Sequence, residues 1–207
     1  FDFEWSNEHL FYGAYSRTRS YFENSPFAAT GLPKGEELEI LEKFRGKIPD
    51  EVFTTEYNPP KYDGSGNIRA GLREALKLLR EAGWEIKNQR LVNASGQPFE
   101  FEILLSSAQF ERIVLPFVEN LKRLGITPRV RTVDTAQYQR RMDSFDFDMT
   151  VVLFPQSLHP GNEQREFWSS AKADEEGSRN LIGIRDPVVD ELVEMIIASP
   201  DCDRLVA

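Results

Sequence analysis

Residues 98–154 constrain the fold of this chain more than any other stretch, because they spell out a β-α-β-α-β unit. Phe99, Phe101, Ile103 and Leu105 alternate with other residues, the period-two signature of a strand. Ser106 and Gln109 have the S-x-x-Q spacing of a capping box, in which each side chain meets a free backbone donor at a helix start. Phe110, Ile113, Val114, Phe117, Val118, Leu121 and Leu124 follow at helical spacing, and Gly125 stands where a helix-ending glycine belongs. Residues 126–133 read as a second strand, with Val130 and Thr132 on one face and Arg129 and Arg131 on the other. Asp134 caps a short helix carrying Tyr138 and Met142, and residues 145–154 read as a third strand, apolar enough at its far end to be buried on both faces.

Crossovers of this length join parallel strands through right-handed connections. The two arginines place the second strand at an edge, so the expected order is 2-1-3. Open sheets of this kind bind ligands beyond the carboxyl ends of their strands. That edge collects Ser106 and Ser107, residues 134–135, and the long loop after Phe154.

Elsewhere the pattern is helical or irregular. Residues 3–15 suit an amphipathic helix, residues 16–33 are rich in turn formers, and Leu38, Leu41 and Phe44 mark another helix. Residues 48–66 hold three prolines and the turn Asp63-Gly64-Ser65-Gly66, expected as a long loop tied down by Phe53, Tyr57 and Tyr62. Asn67 is the expected cap of a helix with the stripe Leu72, Leu76 and Leu79, ended by Gly83; residues 84–92 read as a hairpin. A helical turn is expected over residues 163–168, and Asp186-Pro187 opens a last long helix with Val189, Leu192, Val193 and Ile196 inward. Residues 1–66 thus form a helix- and loop-rich excursion, and residues 67–207 the α/β core.

Composition excludes several functions. Thirty-four acids against 25 bases give a net charge of −9, which argues against non-specific nucleic-acid binding. The lone Cys202 rules out an internal disulfide and any multi-cysteine metal site, and two histidines, His9 and His159, supply a His-based site poorly. No nucleophile elbow or phosphate-binding glycine loop is present. Asp146 and Asp148 share a strand face but lie at its entrance, away from the binding edge, and are expected to be structural. No catalytic group, metal or cofactor is therefore expected. The chain has no initiator Met and is expected to be a piece of a longer protein, cut at both ends.

Several stretches together resemble one family, the extracellular solute-binding proteins of ABC importers in the peptide/nickel class (family 5). They are the helix end Ala75-Leu76-Lys77-Leu78-Leu79-Arg80-Glu81-Ala82-Gly83-Trp84 and the unit Leu121-Lys122-Arg123-Leu124-Gly125-Ile126. Tyr138, Phe145-Asp146-Phe147-Asp148-Met149 and Asn180-x-x-Gly183-x-x-Asp186-Pro187-x-Val189-Asp190-x-Leu192 complete the set. The opening residues 1–22 resemble the branch that takes up oligopeptides and microcin C. The resemblance implies a type II periplasmic-binding lobe, the carboxyl-side one of two that close on a ligand. It further implies a monomer in the periplasm, a peptide or peptide-like ligand, and an ABC permease of the inner membrane as partner. In peptide-binding relatives the loop after the third strand supplies an acid that receives the peptide's amino terminus, often near a tryptophan. Here Pro160 stands near that place and Glu163 is the nearest acid. The candidate ligand contacts are Ser106, Ser107, Gln156, Ser157, His159, Asn162, Glu163, Arg165 and Trp168. Competing readings are a carboxylate-based hydrolase, which needs two acids meeting in one pocket, and a flavodoxin-like interaction domain, which the long irregular region 16–66 disfavours.

Overall fold

A computed structural model describes residues 1–200 and 202–206, the side chains of Cys202 and Asp203 excepted; the side chain of Cys202, of which the sequence requires nothing beyond packing, thus lies outside the described residues. The helices are α1 (Phe3–Phe11), α2 (Gly35–Glu42), α3 (Glu51–Thr54), α4 (Arg69–Glu81), α5 (Glu111–Lys122), α6 (Thr135–Asp143), α7 (Glu163–Trp168), α8 (Pro187–Ile197) and α9 (Cys202–Val206). The strands are β1 (Glu85–Lys87), β2 (Arg90–Val92), β3 (Glu100–Leu105), β4 (Thr127–Thr132) and β5 (Met149–Thr150). Contacts group them into two compact units interleaved along the chain: residues 1–17, 60–142 and 146–152, and residues 18–59, 143–145 and 153–207. The grouping does not follow a division at residue 66, since the first helix belongs with the sheet.

In the first unit, β3 lies between β4 and β5 in a parallel sheet, the expected 2-1-3 order. Arg129 and Arg131 on the edge strand β4 do not simply face water; they reach Glu100 and Glu102 on β3 at 2.9 and 4.0 Å. Ile103 and Leu105 pack with Val114 and Val118 of α5, joined by Phe101, Phe110 and Val130. A neighbouring cluster of Leu91, Leu124 and Ile126 receives the stripe Leu72, Leu76 and Leu79 of α4. Burying such side chains stabilises by about 1.5–3 kcal/mol each, which is why the helical spacing in both segments predicts their inward faces.

Two glycine-ended helices behave as their sequences require. Gly83 and Gly125 have φ of +86° and +78°, which costs nothing without a Cβ. After Gly125 the Ile126 N–H donates back to Leu121 O at 3.3 Å, so the chain turns directly into β4. Asp134 caps α6 through Gln137 N–H at 2.9 Å, and Asp186 caps α8 through Val188 N–H at 2.7 Å.

Several expectations need correction. The helix after β3 is capped by Ser107, whose Oγ accepts from Gln109 N–H at 3.2 Å, and a 3-10 turn over Ala108–Phe110 precedes α5. Two adjacent serines offer the same chemistry, and the extended backbone of Ser107 decides between them. Ile68 occupies the cap position of α4, and Asn67 Oδ1 reaches only the Arg69 N–H at 3.4 Å. Of the four residues of α8 expected inward, Val193 is buried while Val189, Leu192 and Ile196 are half-buried, and Val188 joins Val193 in the core. Tyr57 does not tie its loop down, being 69% exposed.

The third strand is the largest correction. Only Met149 and Thr150 pair with β3, opposite Ile103 and Leu104. β3 ends at Leu105, opposite Val151 in this register, so the chain from Val152 onward outruns its partner, and Val151, Val152 and Leu153 are exposed instead of doubly buried. Side chains take over the anchoring. Thr150 Oγ1 donates to Leu104 O at 3.0 Å, and Tyr138 Oη lies 3.0 Å from Thr150 Oγ1 and from Val151 O. At the strand's entrance Asp148 Oδ2 accepts from Glu102 N–H at 2.8 Å, and Asp146 meets Arg141 at 2.8 Å. Both aspartates are structural, as expected.

The second unit holds α2, α3, α7, α8 and α9. Its buried polar anchor is Asn180, with no exposed surface. Asn180 Nδ2 donates to Ser169 O at 3.0 Å and Ile184 O at 2.9 Å, while Oδ1 accepts from Ile184 N–H at 2.9 Å. Asp190 Oδ1 accepts from Ser170 N–H at 2.7 Å. The N-x-x-G-x-x-D-P-x-V-D motif is thus a brace that fixes the end of α7 against the start of α8.

Candidate functional site

The candidate residues fall in both units. Ser106 and Ser107 are half-buried at the carboxyl end of β3, where the strand's last backbone groups give way to the 3-10 turn. The remaining seven lie on the loop 155–162 and on α7, in the second unit.

An aromatic cluster supports that loop. Phe154 and Trp168 stack at 5.5 Å with an interplanar angle of 19°, and Tyr21 leans on both, at 5.5 and 4.9 Å. Phe167, next to Trp168 in α7's last turn, is buried and completes the cluster against Phe154 at 6.1 Å and Trp168 at 5.7 Å. Trp168 is therefore half core, while Tyr21 keeps 55% of its surface open. Tyr21, distant in sequence, escapes sequence reasoning; only its place among turn formers singles it out.

A chain of amides runs beneath the loop. Trp168 Nε1–H donates to Gln164 Oε1 at 2.8 Å, and Gln164 Nε2–H donates to Gln156 Oε1 at 2.8 Å. Gln164 is almost fully buried, an unusual place for a glutamine, and its position four residues before Trp168 on α7 makes the first bond possible. Sequence reasoning missed Gln164, because glutamine on a short helix reads as surface.

Glu163 is turned back on its own loop. Its Oε1 accepts from Gly161 N–H at 3.0 Å and from Gln164 Nε2 at 3.3 Å. Partial burial would raise the carboxyl's pKa, but the backbone N–H groups of Glu163 and Gly161 and the Gln164 amide outweigh it and hold it below the usual glutamate range. Glu163 is therefore an anion at neutral pH.

Arg165 makes a bidentate pair with Glu194 of α8, at 2.6 and 2.5 Å, and donates to Asn162 Oδ1 at 2.9 Å. The Glu194 bond raises the guanidinium's pKa further and lowers that of the carboxylate. Arg165 thus takes its charge partner from the next helix rather than from Glu166, its neighbour on α7. Glu166 instead meets Lys172 at 3.0 Å. His159 is exposed, and its backbone N–H donates to Ser157 Oγ at 3.0 Å. Among the described residues no three acids, histidines or cysteines cluster as a metal site, and no helix is long and apolar enough to cross a membrane.

The loop therefore presents a carboxylate, amides and an aromatic face on a braced frame, which is suited to binding. Comparison with known proteins agrees. A family model described as "Bacterial extracellular solute-binding proteins, family 5 Middle" matches residues 1–175. A probable peptide-binding protein, YejA, of Agrobacterium fabrum is 50% identical over 208 residues, covering all of this chain and 34% of its own length. The chain spans about a third of the length of the curated relatives it matches. Among solved structures, an oligopeptide-binding protein of Thermotoga maritima with bound mannohexaose superposes with a TM-score of 0.63 at 16% identity, over 98% of this chain and 34% of that one. The oligopeptide-binding protein AppA of Bacillus subtilis, in complex with a nonapeptide, gives 0.58 at 22% identity, over 73% and 29%. At such identities the likeness shows the shared α/β lobe fold. The match over residues 1–175 and the half-identical relative establish more: this chain belongs to the family 5 bacterial extracellular solute-binding proteins.

Proposed function

We propose that this chain is the carboxyl-side lobe of the substrate-binding component of an ABC importer, and that the whole protein captures oligopeptides or peptide-like compounds without chemical change. Residues 1–66 and 67–207 belong to that one lobe. The protein acts as a monomer in the periplasm and delivers its ligand to a permease of the inner membrane. The observation that carries this reading is the loop 155–168: an anionic Glu163, amide groups and an aromatic face on a braced frame, in a chain half identical to a probable peptide-binding protein. Closure of two lobes traps the ligand, and the closed form is what a permease recognises.

A binding role also suits the acids better than hydrolysis does. Paired-carboxylate chemistry needs two acids converging on one reacting bond. Here Glu163 is bonded to Gly161 N–H and Glu166 to Lys172. Ser106, Ser107, Gln156, Ser157, His159, Asn162, Arg165 and Trp168 complete the proposed set of ligand contacts, and Arg165 also holds Asn162 by a hydrogen bond to its Oδ1.

Within that reading Glu163 receives the ligand's ammonium through Oε2, since Oε1 is already engaged. Burying an ammonium is costly unless a carboxylate meets it. In the full-length protein, Glu163→Gln lowers affinity for a free-amine peptide about tenfold or more and leaves its amino-acetylated form unaffected. Equal effects on both peptides, or none, would remove Glu163 from that role.

A further inference from the structure

The amide relay ends in a donor with nothing to donate to. Trp168 Nε1 can only donate, so its bond fixes the oxygen of Gln164 toward the indole and the nitrogen toward Gln156. Gln164 Nε2 in turn fixes the oxygen of Gln156 toward itself. Neither amide can flip without setting two donors against each other. Gln156 Nε2 is therefore pinned in the outward direction of the relay, and it is buried with no hydrogen-bond partner among the described residues. Native proteins pair more than nine-tenths of their buried polar groups, and an exception calls for a reason.

From this geometry we infer that Gln156 Nε2 is a recognition donor that bonds an uncharged carbonyl of the bound ligand, so that Gln156 sets specificity for amide-bearing compounds. The inference rests on the peptide-binding reading of the same loop. An N–H donor excludes an ammonium partner. A carboxylate is disfavoured by the negative charge next along the relay, Glu163, whose Oε1 lies 3.3 Å from Gln164 Nε2. The nearest cation on α7, Arg165, is neutralised by Glu194 of α8. What remains is a neutral acceptor, and a peptide or N-acyl carbonyl supplies one. The loop from Leu153 to Asn162 carries no helix or strand, so small movements can bring the donor and a ligand together. The price of the unmet donor is recovered only in the complex, which makes the bond a feature of the liganded state.

Gln156→Glu in the full-length protein tests this. It keeps an oxygen to accept from Gln164 but replaces the donor with an oxygen, and low pH restores a donor as the new carboxyl takes up a proton. The probe is an equimolar mixture of trialanine, tetraalanine and pentaalanine, followed by titration calorimetry from about pH 7 to about pH 4. The expected result is an affinity at least about tenfold below wild type at neutral pH, with the wild-type-to-variant ratio shrinking toward one as pH falls. Gln156→Ala, which lacks both the donor and the new carboxyl, supplies the pH dependence that Glu163 and Glu194 cause by themselves. A ratio that stays constant with pH would mean the substitution acts through structure alone, equal binding by Q156E would mean the donor makes no bond to the ligand, and tighter binding would mean a cationic partner; each overturns the inference while leaving peptide binding intact. Absence of binding by wild type itself would instead overturn the peptide reading, and the carbonyl assignment with it.

Discussion

Replacing Gly125 by alanine should cost far more than the same change at Gly83, although both glycines end helices in the left-handed region. At Gly83 a Cβ would meet nothing within 4 Å, so Gly83→Ala incurs only the backbone cost, about 1–2 kcal/mol. At Gly125 it would stand 2.7 Å from Leu91 N, 3.1 Å from Arg90 C and 3.2 Å from Gln89 O. All three are backbone atoms of the β1–β2 hairpin and cannot rotate aside. Relief means moving β2, which breaks the 2.8 Å bond from Leu91 N–H to Gly125 O, worth about 1 kcal/mol. It also shifts Leu91, fully buried beside Leu124 and Ile126, at a further cost of about 1 kcal/mol or more. The sum for Gly125→Ala is about 3–4 kcal/mol, and the difference between the two variants about 2 kcal/mol. Urea unfolding followed by circular dichroism reads both. Equal losses would show that the hairpin gives way freely and that Gly125 is needed only for its φ.

Two further predictions follow from the second unit. Asn180→Ala removes three buried hydrogen bonds and should destabilise by about 3 kcal/mol in a thermal or denaturant melt, whereas a loss below about 1 kcal/mol would mean the brace is replaced by water. Glu194 has its pKa lowered by Arg165, so the pair's contribution is complete above the ordinary glutamate value of 4.5 and is lost as pH falls through the lower folded value. Arg165→Gln should therefore move the Glu194 titration upward in a carbon-detected NMR experiment; an unmoved titration would mean the pair does not persist in solution.

Local patterns in the sequence carry the sheet and its two helix-ending glycines. Alternation at Phe99–Leu105, helical spacing from Phe110 to Leu124 and the two arginines of β4 are short-range signals, and each predicts the observed element and the 2-1-3 order. The apolar run from Val151 to Phe154 predicts a longer third strand than the two residues that pair, because hydropathy does not reveal that β3 stops at Leu105. Arg165 illustrates the limit for the site. Its partner Glu194 lies 29 residues away on α8, so only helix packing could reveal it. The same holds for the relay: Gln164 and Trp168 are a visible i,i+4 pair, but Gln156 joins them only after the loop has folded back. The family's N-x-x-G-x-x-D-P motif was legible as a family mark, yet its physical meaning, a buried brace, needed coordinates.

The central claim is that the protein of which this chain is part holds a peptide-like ligand. Mass spectrometry of what the full-length protein, purified from its native host, releases on denaturation tests that claim most directly. The account predicts a retained population of peptides or amide-bearing compounds with free amines, displaced from wild type by added oligopeptides. Retention of compounds that lack amide carbonyls altogether, with no displacement by peptides, would contradict it.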